Sequence, residues 1–341
     1  MRRFLIIAVA VLCGLFSACK NKTDKGAAAD KDSLTLLTDA IKSQPQNAEA
    51  YYNRADYLFR HSQFDAAESD ILQAIKLKDN VSKYYVRYAD VKRFQKKLDD
   101  AEENLQKALS LDPSNNEARL KLAEIFFYRA GRVPSYYDNC LAVLEEARKL
   151  QPYNPNAYLM EAFCYKEKGD TSTYLQRLYQ VVSQNPDEIK AHLELGYFCQ
   201  QRLDPQGIDH YQNALRVDPK NAEINYNLGL LYRDLGDTLN AIAQFKHLIA
   251  IVPSGSYVTN AYYNLAYLDL VSGNFKSAIE YFTQALQCDA VFADAYVGRA
   301  EAYEALGDWA NARADYEQCL QVSANFPAAI DGLNALDKIQ K

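Results

Sequence analysis

The chain has 341 residues, 49% of them hydrophobic, with 38 Lys and Arg against 44 Asp and Glu and a formal net charge of −6. An acidic chain with no concentrated Lys/Arg run lacks the basic face that phosphate neutralisation needs, so nucleic-acid binding is excluded as a leading reading. The length by itself suggests two or three domains, but an internal repeat overrides that expectation.

Residues 1–18 begin with Arg2 and Arg3, continue through an apolar run from Phe4 to Val11, and end in the small residues Ser17 and Ala18. This order reads as a signal peptide, and the apolar run is too short to span a membrane. Cys19, directly after Ser17-Ala18, resembles the lipobox of bacterial lipoproteins, although Phe16 stands where Leu is usual. The resemblance implies cleavage before Cys19 and a lipid on Cys19. Lys20 in the next place resembles lipoproteins sorted to the outer membrane, and a single Asp24 among three lysines favours its periplasmic face. The alternative is a soluble secreted or periplasmic protein. Loss of 1–18 removes two arginines and no acids, leaving a charge of about −8. Residues 19–32 are polar, small and non-periodic, which reads as a flexible tether behind the lipidated Cys19.

Residues 33–46 read as a capping helix, since Leu34, Leu37 and Ile41 recur at helical spacing from Ser33 to Lys42. A repeat then begins. Ala55, Ala89, Ala123, Ala162, Gly196, Gly229, Ala266 and Ala300 recur at a step near 34, and Ala74, Ala108, Ala147, Val181, Ala214, Leu248, Ala285 and Cys319 keep almost the same step. Two phased series of slim residues predict two packed helices per unit, repeated eight times. Gly169-Asp170, Gly236-Asp237, Gly273-Asn274 and Gly307-Asp308 mark the turn inside the unit, while Pro113, Pro152, Pro186, Pro219 and Pro253 follow the second helix. Residues 327–341 read as a C-terminal capping helix with Ile330, Leu333, Leu336 and Ile339 in a stripe.

The large–small–aromatic pattern of the first helix and the Ala–aromatic–Ala pattern of the second resemble the tetratricopeptide repeat (TPR) family. The register is 48–81, 82–115, 116–154, 155–188, 189–221, 222–258, 259–292 and 293–326, covering 48–326. Arg54, Tyr88, Glu161 and Arg299 depart from it, standing where Leu usually precedes the small residue; Tyr174 replaces the small residue that opens the second helix. Extra residues at 129–139 and 254–260 read as surface loops or local changes of curvature. The family implies an all-α, right-handed superhelical α-solenoid whose first helices line a concave groove. It also implies that the second, fifth, ninth and twelfth residues of each repeat point into that groove.

Read through that register, apolar and aromatic groove residues concentrate in repeats four to seven: Leu159, Phe163, Leu193, Tyr197, Tyr226, Leu230, Tyr263 and Tyr267, flanked by Lys166, Lys190 and Arg233. Such a stripe suits an extended peptide or a helix of a partner protein. Two alternatives stand beside it. The tyrosines could stack on sugar rings of an envelope glycan, or the chain could be a soluble periplasmic chaperone-like adaptor. The bland alternative is that the fifth and ninth residues pack between neighbouring first helices.

No enzyme site is expected. His61, His192, His210 and His247 lie in different repeats without a His-x-x-x-His spacing, and neither a phosphate loop nor a nucleophile elbow occurs. Neither cofactor nor metal is expected. Beyond Cys13 and Cys19 the chain carries Cys140, Cys164, Cys199, Cys288 and Cys319, an odd number read as small buried residues. Cys164 with Cys199 is the pairing that near-equivalent positions in adjacent repeats suggest.

Overall fold

The computed structural model describes residues 24–339; the expected signal peptide, Cys19 and the start of the tether lie outside them. Among the described residues there are 18 helices and no strand. A first helix, α1 (Asp24–Ser43), is followed by eight pairs. These are α2 (Ala48–Arg60) with α3 (Phe64–Leu77), α4 (Ser82–Phe94) with α5 (Leu98–Leu111), and α6 (Asn116–Ala130) with α7 (Tyr136–Leu150). Next come α8 (Pro155–Glu167) with α9 (Thr171–Gln184), α10 (Ile189–Gln200) with α11 (Gln206–Val217), and α12 (Ala222–Asp234) with α13 (Thr238–Ile251). The last pairs are α14 (Ser256–Val271) with α15 (Phe275–Cys288) and α16 (Ala293–Ala305) with α17 (Trp309–Val322), closed by α18 (Pro327–Ile339). The chain divides into two compact units, Met1–Gln180 and Val181–Lys341, and the division falls inside α9.

Two expectations change. Helix α1 reaches back to Asp24, into the segment read as tether; Ala27–Ala29 are strong helix formers and no proline interrupts them. The extra residues before repeat seven are not a loop. They add a turn to α14, which starts at Ser256 straight after Gly255 at φ +123°.

The phased small residues are interior. Ala55, Ala123, Ala162, Ala266 and Ala300 are fully buried, as is the whole second series from Ala74 to Cys319. Opposite them the second helices carry a further phased series that the sequence reading did not isolate: Ile71, Leu105, Leu144, Leu178, Tyr211, Phe245, Phe282 and Tyr316, all at most 3% exposed. The two series compensate in size. Where the first helix offers Ala, repeats one to four use an aliphatic side chain. Where the second helix uses a ring, a glycine faces it. A Cβ on Gly196 would stand 2.5 Å from the Tyr211 ring, and one on Gly229 2.6 Å from Phe245. In the last repeats the yielding glycine sits on the following helix, with Gly298 against Phe282 and Gly332 against Tyr316, each at 2.3 Å.

Seven of the eight turns between paired helices contain one left-handed residue, and Gly169, Gly236, Gly273 and Gly307 supply it in four of them at φ of 75–80°. Ser62, Lys96 and Leu203 take the same conformation without glycine. Side-chain caps start the first helices: Asn47, Asn115, Asn154 and Asn221 each accept from backbone N–H groups of their own first turn.

The departures from the family pattern are answered by charge. Arg54 makes a two-pronged pair with Asp70 on its own second helix (2.6 and 2.7 Å) and reaches Thr38 on the preceding helix. Arg299 repeats this with Asp315 (2.7 Å for both prongs) and Thr283. In both relays the partners sit 16 residues before and after the arginine. Glu161 is the reversed case, paired with Arg177 sixteen residues on and with Arg148 on the preceding second helix. Asp315 and Glu161 are nearly inaccessible, at 8% and 2%. One further buried polar pair joins α10 to α11. His192 Nε2 lies 2.9 Å from the Pro186 carbonyl and must carry the proton there, so its Nδ1 accepts from His210 Nδ1–H at 3.2 Å. Burial lowers both imidazoles, and each charged ring would further disfavour the other.

Cutting one partner of a buried pair leaves a bare charge, whereas removing both can be neutral. Arg299→Leu should therefore destabilise repeat eight by about 3 kcal/mol, and Arg299→Leu with Asp315→Ala should restore it to within about 1 kcal/mol. Amide hydrogen exchange along α16 and α17 reads this locally; equal protection in the single and double variants would contradict it. The histidine pair gives a pH signature. Folded-state values lie below the unfolded value near 6.5, so the unfolded chain binds more protons as pH falls. Their contribution is complete above about pH 6.5 and is lost below it, at a slope of at most about 1.4 kcal/mol per pH unit for each ring. Urea midpoints taken from pH 7.5 to 5 should fall less steeply in His192→Gln with His210→Gln than in the parent chain.

Candidate functional site

Within each unit, first helices of neighbouring repeats touch one another as well as their own partners, as α10 with α12, α12 with α14 and α14 with α16 do. The expected groove residues lie on this face. Three pairs spaced by four residues stand on consecutive first helices of the second unit: Leu193 and Tyr197, Tyr226 and Leu230, Tyr263 and Tyr267. Residues four apart share one side of a helix, so each pair presents together. Leu159, Phe163 and Lys166 belong to α8 of the first unit; Leu159 is 8% exposed and Phe163 packs on the core, so in that repeat Lys166 is the exposed member.

The residue that ties first helices to each other is the sixth of the repeat, which the sequence reading passed over. In the first unit it is Arg87, paired with Asp56 of the preceding repeat and with Asp90 at 2.9 Å. Lys121 holds the same position and reaches back to Asp90 at 2.7 Å. Asp56 and Asp90 are ninth residues, so a sixth-to-ninth contact recurs between successive repeats. Lys83 adds a contact to Glu49 at 2.6 Å, lying over the Tyr52 ring. The charged residues along this face of repeats one to three therefore neutralise one another.

In repeats six and seven the same position holds a buried asparagine. Asn227 donates to the Tyr197 hydroxyl at 2.9 Å, and that hydroxyl donates to Glu223 at 2.8 Å. Burial and the Glu223 carboxylate push the Tyr197 phenol well above its usual range. Asn264 donates to the Tyr226 hydroxyl at 3.2 Å and to the Asn260 carbonyl at 2.8 Å, while accepting from Arg233. Arg233 also holds Asp234 at 2.7 Å. The hydroxyls of Tyr197 and Tyr226 are thus engaged between repeats, as the packing alternative anticipated for fifth and ninth residues. Tyr263 is partly buried between Phe282 (5.7 Å) and Phe292 (5.0 Å). Tyr267 beside it is 44% exposed, Leu193 and Leu230 are half-buried, and burial lowers the half-buried Lys190 ammonium. Two ninth- and twelfth-position acids of repeat eight, Glu301 and Glu304, are pushed up by burial. The signal for Asn227 and Asn264 was present in the sequence as an asparagine at the same sixth position of two successive repeats. It was legible only once the register of neighbouring repeats was laid side by side.

Among the described residues no group of three or more His, Cys, Asp or Glu side chains is arranged to hold a metal ion, and no helix is long and apolar enough to cross a membrane.

Three family models described as tetratricopeptide repeat match the chain, one at 31–82, 89–135 and 263–329, a second at 220–290 and a third at 156–188. Among curated relatives, DnaJ homolog subfamily C member 3 of Gallus gallus is 22% identical over 96% of this chain and 71% of its own length. DnaJ protein P58IPK homolog B of Oryza sativa subsp. japonica is 24% identical over 83% of this chain, which spans 65% of that protein. Among solved structures, PilW, a type IV pilus biogenesis factor, is 22% identical with a TM-score of 0.49, over 64% of this chain and 98% of that one.

The Tyr197 hydroxyl satisfies Asn227, which is 5% exposed. Tyr197→Phe keeps the ring and strands that amide, at a cost of about 1–2 kcal/mol. Hydrogen exchange should show the loss in both α10 and α12, two helices of different repeats; an effect confined to α10 would deny the tie.

Proposed function

We propose that this chain, which belongs to the tetratricopeptide repeat family, is a non-enzymatic protein-interaction scaffold of the bacterial envelope. In this reading the first-helix face of repeats five to seven takes an extended peptide or a helix of a partner protein. The lipid on Cys19 would hold the scaffold to the outer membrane on its periplasmic side.

The observation that carries the binding face is the state of its rings. Tyr226 lies tilted against Tyr257 at 5.6 Å, and Tyr263 is held between Phe282 and Phe292, with the 44% exposed Tyr267 next to it. Rings already fixed by neighbours lose little freedom when a partner covers them, which makes them efficient anchors. Leu193 and Leu230 continue the apolar row, and Lys190 and Arg233 supply charge at its margin. Repeats one and two contrast with this, because their ninth residues, Asp56 and Asp90, are held in internal ion pairs.

A photo-crosslinking residue at Tyr267 should capture a protein partner in cells, while the same group at Tyr153, 85% exposed on a loop between repeats, should not capture it. Tyr263→Ala with Tyr267→Ala should lower capture from a crosslinker at Leu230 at least tenfold while helicity is kept. Identical capture from Tyr153 and Tyr267 would remove the face from consideration. Calorimetry with glycan fragments separates the sugar-stacking alternative, and palmitate labelling lost in Cys19→Ser separates the anchored form from a soluble adaptor.

A further inference from the structure

Cys164, whose near-equivalent cysteine in the adjacent repeat is Cys199, instead meets Cys140. Its thiol lies 3.5 Å from the Cys140 sulfur, which in turn donates to the Ala123 carbonyl at 3.3 Å. Both are fully buried. Cys140 stands in α7 at the place that Ala67, Ala101, Ala241, Ala278 and Ala312 fill in other repeats, so alanine satisfies the packing there and sulfur is surplus to it. Cys164 stands in α8, the first helix of the next repeat. Helices α7 and α8 belong to the same compact unit, and their contact is among the sparser ones between successive repeats.

We propose that Cys140 and Cys164 form an intramolecular disulfide when the protein meets a disulfide-type oxidant, stapling repeat three to repeat four. A covalent S–S bond is about 2.05 Å long, so the sulfurs, 3.5 Å apart, need to close by about 1.5 Å. The step is thiol–disulfide exchange. One cysteine thiolate attacks the oxidant R–S–S–R, forming a mixed disulfide and releasing one R–S⁻. The second thiolate then displaces the other R–S⁻. Two protein thiols lose two electrons and two protons, and the oxidant leaves as two R–SH.

The surroundings set the rate. The neighbouring Cys140 thiol, together with burial, holds Cys164 protonated far above the usual thiol range. Little thiolate is present in the closed repeat, so the bond forms when the α7–α8 junction opens or while the chain is folding. The inference is independent of the binding face and of its ligand.

The test uses the full chain, purified with its thiols reduced, and oxidised glutathione at pH 8 as the probe. One portion is incubated folded and another is refolded from urea in the same buffer; both are then alkylated, digested without reduction and mapped by mass. The expected result is one linked peptide joining residues 140 and 164, with Cys199, Cys288 and Cys319 alkylated. The midpoint of thermal unfolding should rise by about 5 °C in the oxidised form. Cys140→Ala, which restores the residue used elsewhere in the series, should keep the helical spectrum and abolish the link. Recovery of Cys140 and Cys164 as separately alkylated or separately glutathionylated residues in both the folded and the refolded portions would overturn the proposal. So would a dominant link through Cys288, whose thiol is exposed.

Discussion

The close approach of paired helices is the constraint on which everything else in this chain depends. A repeat unit can bury its apolar surface only if the two helices come near enough to exclude water, and the side chains at the crossing decide that distance. Here the crossing is a matched pair of sizes, Ala against Ile or Leu in the first repeats and Gly against Tyr or Phe later. The match is tight enough that a single added carbon at Gly196 or Gly229 would fall inside the Tyr211 or Phe245 ring contact. The total volume is kept while its division between the helices changes. This is why helix pairs of different composition can share one sequence period.

With that geometry fixed, the remaining freedom lies in polar positions, and the two units use it differently. In repeats one to three, sixth-position Arg87 and Lys121 and ninth-position Asp56 and Asp90 form a charged ladder between first helices. In repeats six and seven the sixth position is a buried asparagine that grips a tyrosine hydroxyl of the repeat before it. The Tyr197 hydroxyl is held by Asn227 and Glu223 and the Tyr226 hydroxyl by Asn264, whereas the Asp90 carboxylate accepts from both Arg87 and Lys121. The same tie between repeats thus gives a self-neutralised surface in one unit and an aromatic one in the other.

Much of the fold was legible because it is periodic. Slim residues at a step near 34, glycines in the turns and prolines after second helices each follow from backbone or packing demands that recur in every unit. What resisted reading were features that relate one repeat to another. Arg54, Glu161 and Arg299 read as departures from the pattern, because the partners that justify them, Asp70, Arg177 and Asp315, sit 16 residues away on a different helix. The Cys140–Cys164 contact has no periodic signature for a related reason: the two cysteines occupy inequivalent positions, one in a second helix and one in the next first helix. The face of repeats five to seven was located by register, yet the register alone could not tell an anchored ring such as Tyr197 from an open one such as Tyr267.

That last distinction governs how a solenoid of this kind can bind. Apolar side chains on a curved inner face serve two demands that compete, packing against the next helix and contact with a partner. A residue that satisfies the first completely, as Leu159 does, contributes no surface to the second. The asparagine ties ease the competition: by fixing Tyr197 and Tyr226 through their hydroxyls, they hold the helices together without covering every ring. The exposed aromatic surface then gathers where the ties end, at Tyr263 and Tyr267. A repeat protein can in this way keep one interior geometry and still leave aromatic surface exposed in a few units.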